Sequence, residues 1–324
     1  VRRRRANPGA MRLWIALALM AVALGVRAQV ASPHAIDIPA WFSETFLDFP
    51  EDVRDAAREK KRLLLYFGQD GCPYCKELMQ TNFTQRAIVD KTRKHFVAIA
   101  LNVWGDRDTT WTDGRRMTEK ELARALRVQF TPTMLFLDEK GAVVARLNGY
   151  YPPQRFSAAL DYAAGVSGKG PRFEDYVQAA AKDAAGPKLH EEAFFLKQPV
   201  RLDGKKPVAL VFETPYCAGC DDLHREGFKR PEVRKLLEQF DVYQLTPDAG
   251  RALSLHVAYT PSIVLFDGGR EVFRAESYLR PFHLASALEY VASRSYRTEP
   301  SFQRYVQARA DRLRDRGRTV DLWK

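Results

Sequence analysis

The sequence predicts an α/β protein made of two tandem units, in each of which helices flank a central mixed sheet. Two cysteine pairs, Cys72–Cys75 and Cys217–Cys220, each follow an apolar strand-like run and open a helix-like segment. Downstream of each pair, a Thr-Pro dipeptide, Thr131-Pro132 or Thr260-Pro261, directly precedes another apolar run. This shared order of features indicates that one module is used twice.

The two halves can be aligned by constant spacings between matching residues. The spacing is 145 around the cysteines and 129 around the Thr-Pro dipeptides, as for Phe83 with Phe228 and Pro132 with Pro261. It is 128 further on, as for Tyr150 with Tyr278. Spacings that stay constant within blocks indicate a duplication with altered loops. The change from 145 to 129 predicts an insertion in the first unit, which we place at residues 104–117 and expect to be a long loop.

Hydrophobic periodicity and turn residues predict the elements of the first unit. We expect helices at residues 51–61, 75–83, 119–126 and 153–162, and strands at 63–67, 96–103, 133–137 and 142–147. The aromatic residues within 35–50 are expected to pack on the first core. A helix over 171–185 would end at Gly186-Pro187. The predicted boundaries are 29–165 for the first domain, 166–200 for a helical extension and linker, and 201–324 for the second domain with its C-terminal helix.

Residues 1–28 are predicted to comprise an over-long start and a signal peptide. Met11 and Arg12 begin a basic stretch, residues 13–26 form an apolar run, and Val26-Arg27-Ala28 fits a small-x-small cleavage site. This is the pattern of a secretory signal peptide. The alternative is an uncleaved anchor, but the apolar run is short for a bilayer span of about 20 residues. We therefore expect export, no stable membrane insertion after cleavage, and a compartment that permits disulfides.

The basic charge of the chain lies largely in this leader. The sequence has 51 Lys and Arg residues against 40 Asp and Glu, and six of the arginines fall within residues 1–28. The remainder has 45 basic and 40 acidic side chains, spread without a dominant basic block. Such a distribution favours solubility, and no nucleic-acid partner is predicted.

The position of each cysteine pair suggests thiol–disulfide exchange. A cysteine at a helix N-terminus faces unpaired backbone N–H groups and the positive end of the helix dipole, which stabilise its thiolate. Its pKa can fall from about 8.5 to about 7 or below. Cys72 and Cys217 are therefore predicted to attack a substrate disulfide, and Cys75 and Cys220 to resolve the mixed disulfide. These four are the only cysteines in the chain.

Two other roles are possible for cysteine pairs, a structural disulfide and a zinc site. A structural disulfide would close too short a loop to add much stability. A zinc site needs four ligands, which the two pairs could supply together, and His224 lies close to Cys220. We expect His224 to be only a polar residue on its helix, and no metal site is predicted. The strand-to-helix context favours a redox pair.

The two units, over residues 36–318, resemble periplasmic thioredoxin-like proteins, most of all the thioredoxins associated with bacterial sulfur oxidation. The resemblance is carried by the stretches Asp70-Gly71-Cys72-Pro73-Tyr74-Cys75, Thr131-Pro132-Thr133 and Asn148-Gly149-Tyr150, and by Tyr216 to Cys220, Thr260-Pro261-Ser262 and Ser277 to Pro281. It implies that Pro132 and Pro261 are cis and lie beside the cysteines. It also implies that the backbone of Thr131 and Thr260 binds an extended peptide.

The sequence departs from the thioredoxin pattern near both cysteine pairs. The usual tryptophan before the first cysteine is replaced by Gly71 and Tyr216. The buried acid that thioredoxins place six residues upstream is replaced by Tyr66 and Val211. A proton relay is therefore either absent or supplied by another residue. Asp70 and Glu213 are nearby candidates for it, although we expect each to be a solvated surface carboxylate.

The expected function is that of an exported, periplasmic thiol–disulfide oxidoreductase that acts as a disulfide reductase with both cysteine pairs. The resemblance implies no cofactor, protein or small-molecule disulfides as substrates, and a membrane thiol carrier as electron donor. A peptide-binding module and a thiol-based metal-handling protein remain the alternatives.

Overall fold

A computed structural model of the chain describes residues 35–166, 170–179 and 189–322. The predicted signal peptide and the predicted helix end at Gly186-Pro187 lie outside these residues. Within the described residues, no helix combines the length and the apolar character needed to cross a membrane.

The first half of the chain alternates helices and strands in the predicted order. Its elements are α1 (Phe49–Arg58), β1 (Arg62–Gly68), α2 (Pro73–Glu77), α3 (Arg86–His95), β2 (Phe96–Asn102), β3 (Asp108–Thr110), β4 (Arg116–Thr118), α4 (Glu119–Ala125), β5 (Thr133–Leu137), β6 (Val143–Asn148) and α5 (Pro153–Asp161). Strand β1 pairs in parallel with β2 and antiparallel with β5, and β6 is the edge strand beside β5. The central strand β1 is buried from Leu63 to Gly68, because helices cover both faces of the mixed sheet.

The second half repeats this arrangement. Helix α6 (Phe173–Ala179) follows the first domain, and the elements of the second half are β7 (Val208–Phe212), α7 (Ala218–Asp222), α8 (Pro231–Leu237), β8 (Asp241–Leu245), α9 (Pro247–Ala252), β9 (Ser262–Asp267), β10 (Arg270–Ala275), α10 (Pro281–Ala292) and α11 (Phe302–Asp315). Strand β7 pairs in parallel with β8 and antiparallel with β9, and β10 lies at the edge. The predicted fold class, two α/β domains with mixed sheets, is confirmed.

The insertion lies where the spacing placed it, but the prediction of a long loop was wrong. Residues 104–117 include β3 and part of β4, which pair as an antiparallel hairpin with Asp108 opposite Thr118. The hairpin is anchored by Trp111, which is buried and meets the Phe49 ring edge to face at 5.6 Å. In the second half a single residue, Thr246, connects β8 to α9. The many polar residues hid a strand pair because its side chains face solvent on one side.

In each half, aromatic residues before the first strand pack on the core of that half. The sequence predicted this packing only for the first half. Trp41 packs edge to face on Phe83, and Phe194 packs in the same way on Phe228, the counterpart of Phe83. The backbone N–H of Ser43 donates to Ala98 in β2, and that of Leu196 donates to Val242 in β8. The end of the predicted linker, 166–200, therefore packs as part of the second domain.

The helix after each domain also contacts the other domain. In α6, the amide of Gln178 donates to the carbonyl of Val257 at 2.8 Å. In α11, the amide of Gln303 donates to the carbonyl of Gln129 at 3.3 Å, and its carbonyl oxygen accepts from Gln69 at 2.7 Å. These reciprocal contacts fix the two domains against each other.

Candidate functional site

The first cysteine pair lies at the corner between β1 and α2. Cys72 has extended backbone and caps α2, and its Sγ accepts a hydrogen bond from the backbone N–H of Cys75 at 3.0 Å. The two residues form a disulfide, with their Cα atoms 5.2 Å apart. Pro73 occupies the first helical position, where its missing N–H removes no helical bond. The first turn of the helix therefore donates a backbone N–H to the Cys72 sulfur.

The second pair has the same geometry at the corner between β7 and α7. Cys217 caps α7, its Sγ accepts from the Cys220 N–H at 3.1 Å, and the disulfide spans a Cα–Cα distance of 5.1 Å. In both domains the residue before the first cysteine of the pair has a left-handed backbone, with φ of +75° at Gly71 and +58° at Tyr216. Glycine adopts this conformation freely, whereas tyrosine does so at a conformational cost.

Both predicted cis prolines are confirmed, since the Thr131–Pro132 and Thr260–Pro261 peptide bonds are cis. The structure brings Thr131 to the first pair, with its hydroxyl donating to Cys72 Sγ at 3.3 Å and its carbonyl oxygen 3.4 Å from that sulfur.

The second domain arranges the corresponding threonine differently. The Thr260 hydroxyl bonds to the Thr214 hydroxyl at 2.9 Å. A Cβ atom at Gly219 would lie only 2.8 Å from Pro261 Cδ, so the Cys-x-x-Cys turn and the proline are in close contact. A glycine between the cysteines permits this approach.

The position six residues upstream of Cys72 holds a buried neutral side chain. Tyr66 is buried in the cluster that contains Cys72 and Cys75, and burial raises the pKa of its hydroxyl above the ordinary value. Among the residues that the structure describes, its hydroxyl has no hydrogen-bond partner. A Cβ atom at Gly68 would lie 2.0 Å from that oxygen, so the glycine makes room for the tyrosine. The first domain thus has a phenol where thioredoxins have an acid.

The second domain has a buried acid, and the expectation that Glu213 is a surface carboxylate was wrong. Glu213 is fully buried and accepts hydrogen bonds from His224 Nε2 at 2.9 Å and from Gln244 Nε2 at 2.5 Å. It occupies the position of Gly68 in the repeat, while the small Val211 replaces Tyr66. Asp70, by contrast, is exposed as expected and accepts from the Ile36 N–H at 3.0 Å.

His224 was expected to be a plain polar residue on its helix, and this prediction was also wrong. It is buried between two carboxylates, with Nδ1 3.1 Å from Glu192 and Nε2 2.9 Å from Glu213. Burial alone would lower its pKa, but the hydrogen bonds and charges of the two glutamates outweigh burial and raise it. The two glutamates therefore stabilise the charged form of His224, which lies in the helical turn that continues α7.

Sequence reasoning missed Glu192 as part of this cluster because it belongs to the segment taken as linker. The only sequence signal was a charged residue, Glu213, at the end of an apolar strand where the repeat has glycine. No group of three or more His, Cys, Asp or Glu residues in residues 35–166, 170–179 and 189–322 could hold a metal ion.

Comparison with known protein families identifies two matching regions in the chain. The sequence profile of the Thioredoxin-like domain matches residues 49–164 and again residues 198–292. No curated protein matches the chain.

Solved structures are similar to one half of the chain. A thioredoxin-fold protein from Helicobacter pylori is 28% identical over 42% of this chain and 91% of that one, with a TM-score of 0.33. A thioredoxin from Thermus thermophilus is 27% identical over 37% of this chain and 87% of that one, with a TM-score of 0.30. The C-terminal domain of Neisseria meningitidis DsbD is 16% identical over 38% and 96%, with a TM-score of 0.28. Because the two profile matches together cover more than half of the 324 residues, the chain belongs to the Thioredoxin-like domain family.

Proposed function

We propose that this protein is an exported thiol–disulfide oxidoreductase that reduces disulfides with both of its Cys-x-x-Cys pairs. One observation carries the proposal. In each domain the first cysteine caps a helix, and its sulfur accepts a hydrogen bond from the backbone N–H of the second cysteine. A sulfur in that position receives the helix N–H groups that stabilise a thiolate.

The exchange balances as a two-electron transfer. In the reduced protein, the Cys72 thiolate attacks one sulfur of a substrate disulfide, forming a mixed disulfide and releasing the other sulfur as a thiolate. The Cys75 thiolate then attacks Cys72 Sγ, which closes the protein disulfide and releases the second substrate thiolate. Cys217 and Cys220 act in the same way. Each substrate thiolate takes one proton, and the two electrons come from a dithiol donor that restores the reduced pair.

The location and partners belong to the same proposal. The leader-like pattern of residues 1–28 supports export, and the resemblance to thioredoxins of bacterial sulfur oxidation supports a periplasmic role. A membrane thiol carrier would then be the electron donor, and protein or small-molecule disulfides the substrates. Expression of the full chain in a Gram-negative bacterium, followed by fractionation and N-terminal sequencing, should give a periplasmic protein that begins at Gln29. An uncleaved protein in the membrane fraction would contradict export.

The redox activity is tested with two substrates, insulin and hydroxyethyl disulfide, and dithiothreitol as donor. The wild-type protein should accelerate the reduction of at least one of them. The variant with all four cysteines changed to serine should give only the uncatalysed rate. A peptide-binding module would not need its cysteines. A cysteine-free variant that reduces both substrates at the wild-type rate would therefore reject the proposal.

A further inference from the structure

The two cysteine pairs differ in what covers the two residues between the cysteines. Pro73 and Tyr74 of the first pair are buried, and Tyr74 is only 3% exposed. In the second pair Ala218 is exposed and Gly219 is half-buried. The sulfurs themselves are similarly buried in the two sites. The difference between the sites therefore lies in the surface around each pair.

The second domain supplies the cover over the first pair. The backbone N–H of Arg280 donates to the Tyr74 hydroxyl at 2.7 Å. The Arg280 guanidinium lies 5.5 Å from the centre of the Tyr74 ring and pairs with Glu77 of α2 at 3.2 Å. Arg280 thus makes three contacts with the first site: a backbone hydrogen bond to the Tyr74 hydroxyl, a cation–π contact with the Tyr74 ring and an ion pair with Glu77.

His283 extends the cover toward the cis proline. Its ring meets Tyr74 edge to face at 5.2 Å and Phe130 at 6.3 Å. Phe130 directly precedes Thr131-Pro132, the segment expected to bind an extended peptide. A peptide lying across the first pair would have to displace this contact.

The repeat shows why the cover is one-sided. Arg280 corresponds to Pro152 and Tyr74 to Gly219. The contacts of Arg280 with Tyr74 therefore have no equivalent at the second pair, because proline has no N–H to donate and glycine has no side chain to contact. The contact of His283 with Phe130 does have an equivalent, since Arg155 lies 5.1 Å from the ring of Tyr259. The domains therefore meet through matching surfaces, and sequence differences at two positions place a cross-domain contact on the residues between the cysteines only in the first site.

We propose that this cover makes the first pair selective: Cys72–Cys75 exchanges electrons with low-molecular-weight thiols and disulfides, and Cys217–Cys220 with protein thiols and disulfides. This inference rests on the proposed function. A small disulfide, attacked by the Cys72 thiolate, leaves as two thiols after Cys75 closes the protein disulfide. A folded protein must place its disulfide and the flanking backbone over the residues beside the pair, where Arg280 and His283 already contact Tyr74 and Phe130.

The test follows each pair separately in the full oxidised chain. The reductant is either dithiothreitol or a reduced single-domain thioredoxin, and free thiols are trapped with N-ethylmaleimide and quantified by mass spectrometry of the cysteine peptides. For each pair, the rate with the protein reductant is divided by the rate with dithiothreitol. We expect this ratio to be about tenfold lower for Cys72–Cys75 than for Cys217–Cys220.

Two variants loosen the cover without touching a cysteine. Arg280→Ala removes the ion pair and the ring contact, and Glu77→Gln removes the ion pair alone. Arg280→Ala should raise the ratio for the first pair about fivefold, and Glu77→Gln by less. The matched control is Pro152→Ala, because Pro152 of the first domain is the counterpart of Arg280 in the repeat. This variant should change the ratio of neither pair.

Equal ratios for the two pairs in the wild-type protein would overturn the proposal. A lower first-pair ratio that neither variant changes, with circular dichroism showing folded variants, would also overturn it. Failure of both pairs to react with either reductant would instead reject the proposed function.

Discussion

Asn148 and Glu276 occupy equivalent positions in the two domains, 128 residues apart, and they hydrogen-bond to each other. The backbone N–H of Glu276 donates to the Asn148 carbonyl at 2.8 Å, and the Asn148 amide donates to Glu276 Oε1 at 3.2 Å. A residue that contacts its own counterpart lies at the centre of a twofold arrangement. The duplicated domains thus pack as an internal dimer.

Glu276 is expected to be a major support of this interface. Its buried carboxylate also accepts from the Ala258 N–H at 2.7 Å and the Tyr151 hydroxyl at 3.3 Å. Glu276→Ala should lower the free energy of unfolding by about 3 kcal/mol, because it leaves buried donors unpaired. Urea titration measures the change. Glu276 also pairs with Arg274 at 3.3 Å. The control Glu271→Ala removes an exposed carboxylate that pairs with the same arginine, and should change stability by under about 1 kcal/mol. Equal effects would contradict the assignment.

The first cysteine pair should be the more oxidising one. Among the residues that the structure describes, Cys72 is the one cysteine whose sulfur accepts from a threonine hydroxyl, and the Thr260 hydroxyl bonds to Thr214 instead. A hydrogen bond that stabilises the thiolate stabilises the reduced state and raises the potential. Thr131→Val should lower the potential of the first pair by about 20 mV, which corresponds to about 1 kcal/mol.

The potentials are measured by titration against a glutathione buffer. Each pair is isolated in the variant that carries serine at both cysteines of the other pair. Thr260→Val is the control and should leave the second potential within about 10 mV of its starting value. Wild-type midpoints that agree within about 10 mV would show that the two pairs are equivalent centres.

In the reduced protein, Cys72 should react with iodoacetamide well before Cys75. Cys72 caps α2 and is 3% exposed, whereas Cys75 is 0% exposed and lies within the helix. The helix N–H groups lower the thiol pKa at the cap, and the thiolate is the reactive form. Peptide mass spectrometry of the protein labelled near neutral pH measures both rates. Equal or faster labelling of Cys75 would exclude Cys72 as the nucleophile.

Replacing His224 should destabilise the protein most below neutral pH. Its pKa is raised in the folded state, so the charged ring contributes stability that is complete below the unfolded pKa of about 6.5. This contribution is lost as the pH rises through the folded pKa. His224→Gln should therefore cost about 2 kcal/mol near pH 6, and less at pH 9. Urea titrations across this range measure the change. The control is His190→Gln, which alters the half-exposed ring stacked on His224. A loss of unfolding free energy in His224→Gln that does not depend on pH would contradict a charged His224 ring.

The left-handed residue before each cysteine provides a test of backbone strain. Gly71 has a φ of +75°, and a Cβ atom there would meet no atom within 4 Å. Gly71→Ala should therefore destabilise the protein by about 1 kcal/mol through its backbone alone. Gly165→Ala, at another open position without a positive φ, should change stability by less. Thermal unfolding of both variants decides, and equal effects would contradict a backbone cause.

The sequence by itself determined the repeat and the position of the chemistry. Apolar runs such as residues 63–67 form central strands because helices cover both faces of their sheet, and this burial is visible as continuous hydrophobicity. The corner between strand and helix placed Cys72 and Cys217 as caps, because that geometry depends on residues close together in the chain. The cis bonds at Pro132 and Pro261 followed from the resemblance.

Only the tertiary structure decided which polar residues are buried and which site is covered. Glu213 was read as a surface residue because its partners His224 and Gln244 lie 11 and 31 residues away along the chain. The contact of Arg280 with Tyr74 joins residues separated by 206 positions, and no local pattern encodes it. Local sequence fixes backbone conformation, whereas the surroundings of a charge depend on which distant surfaces pack against it.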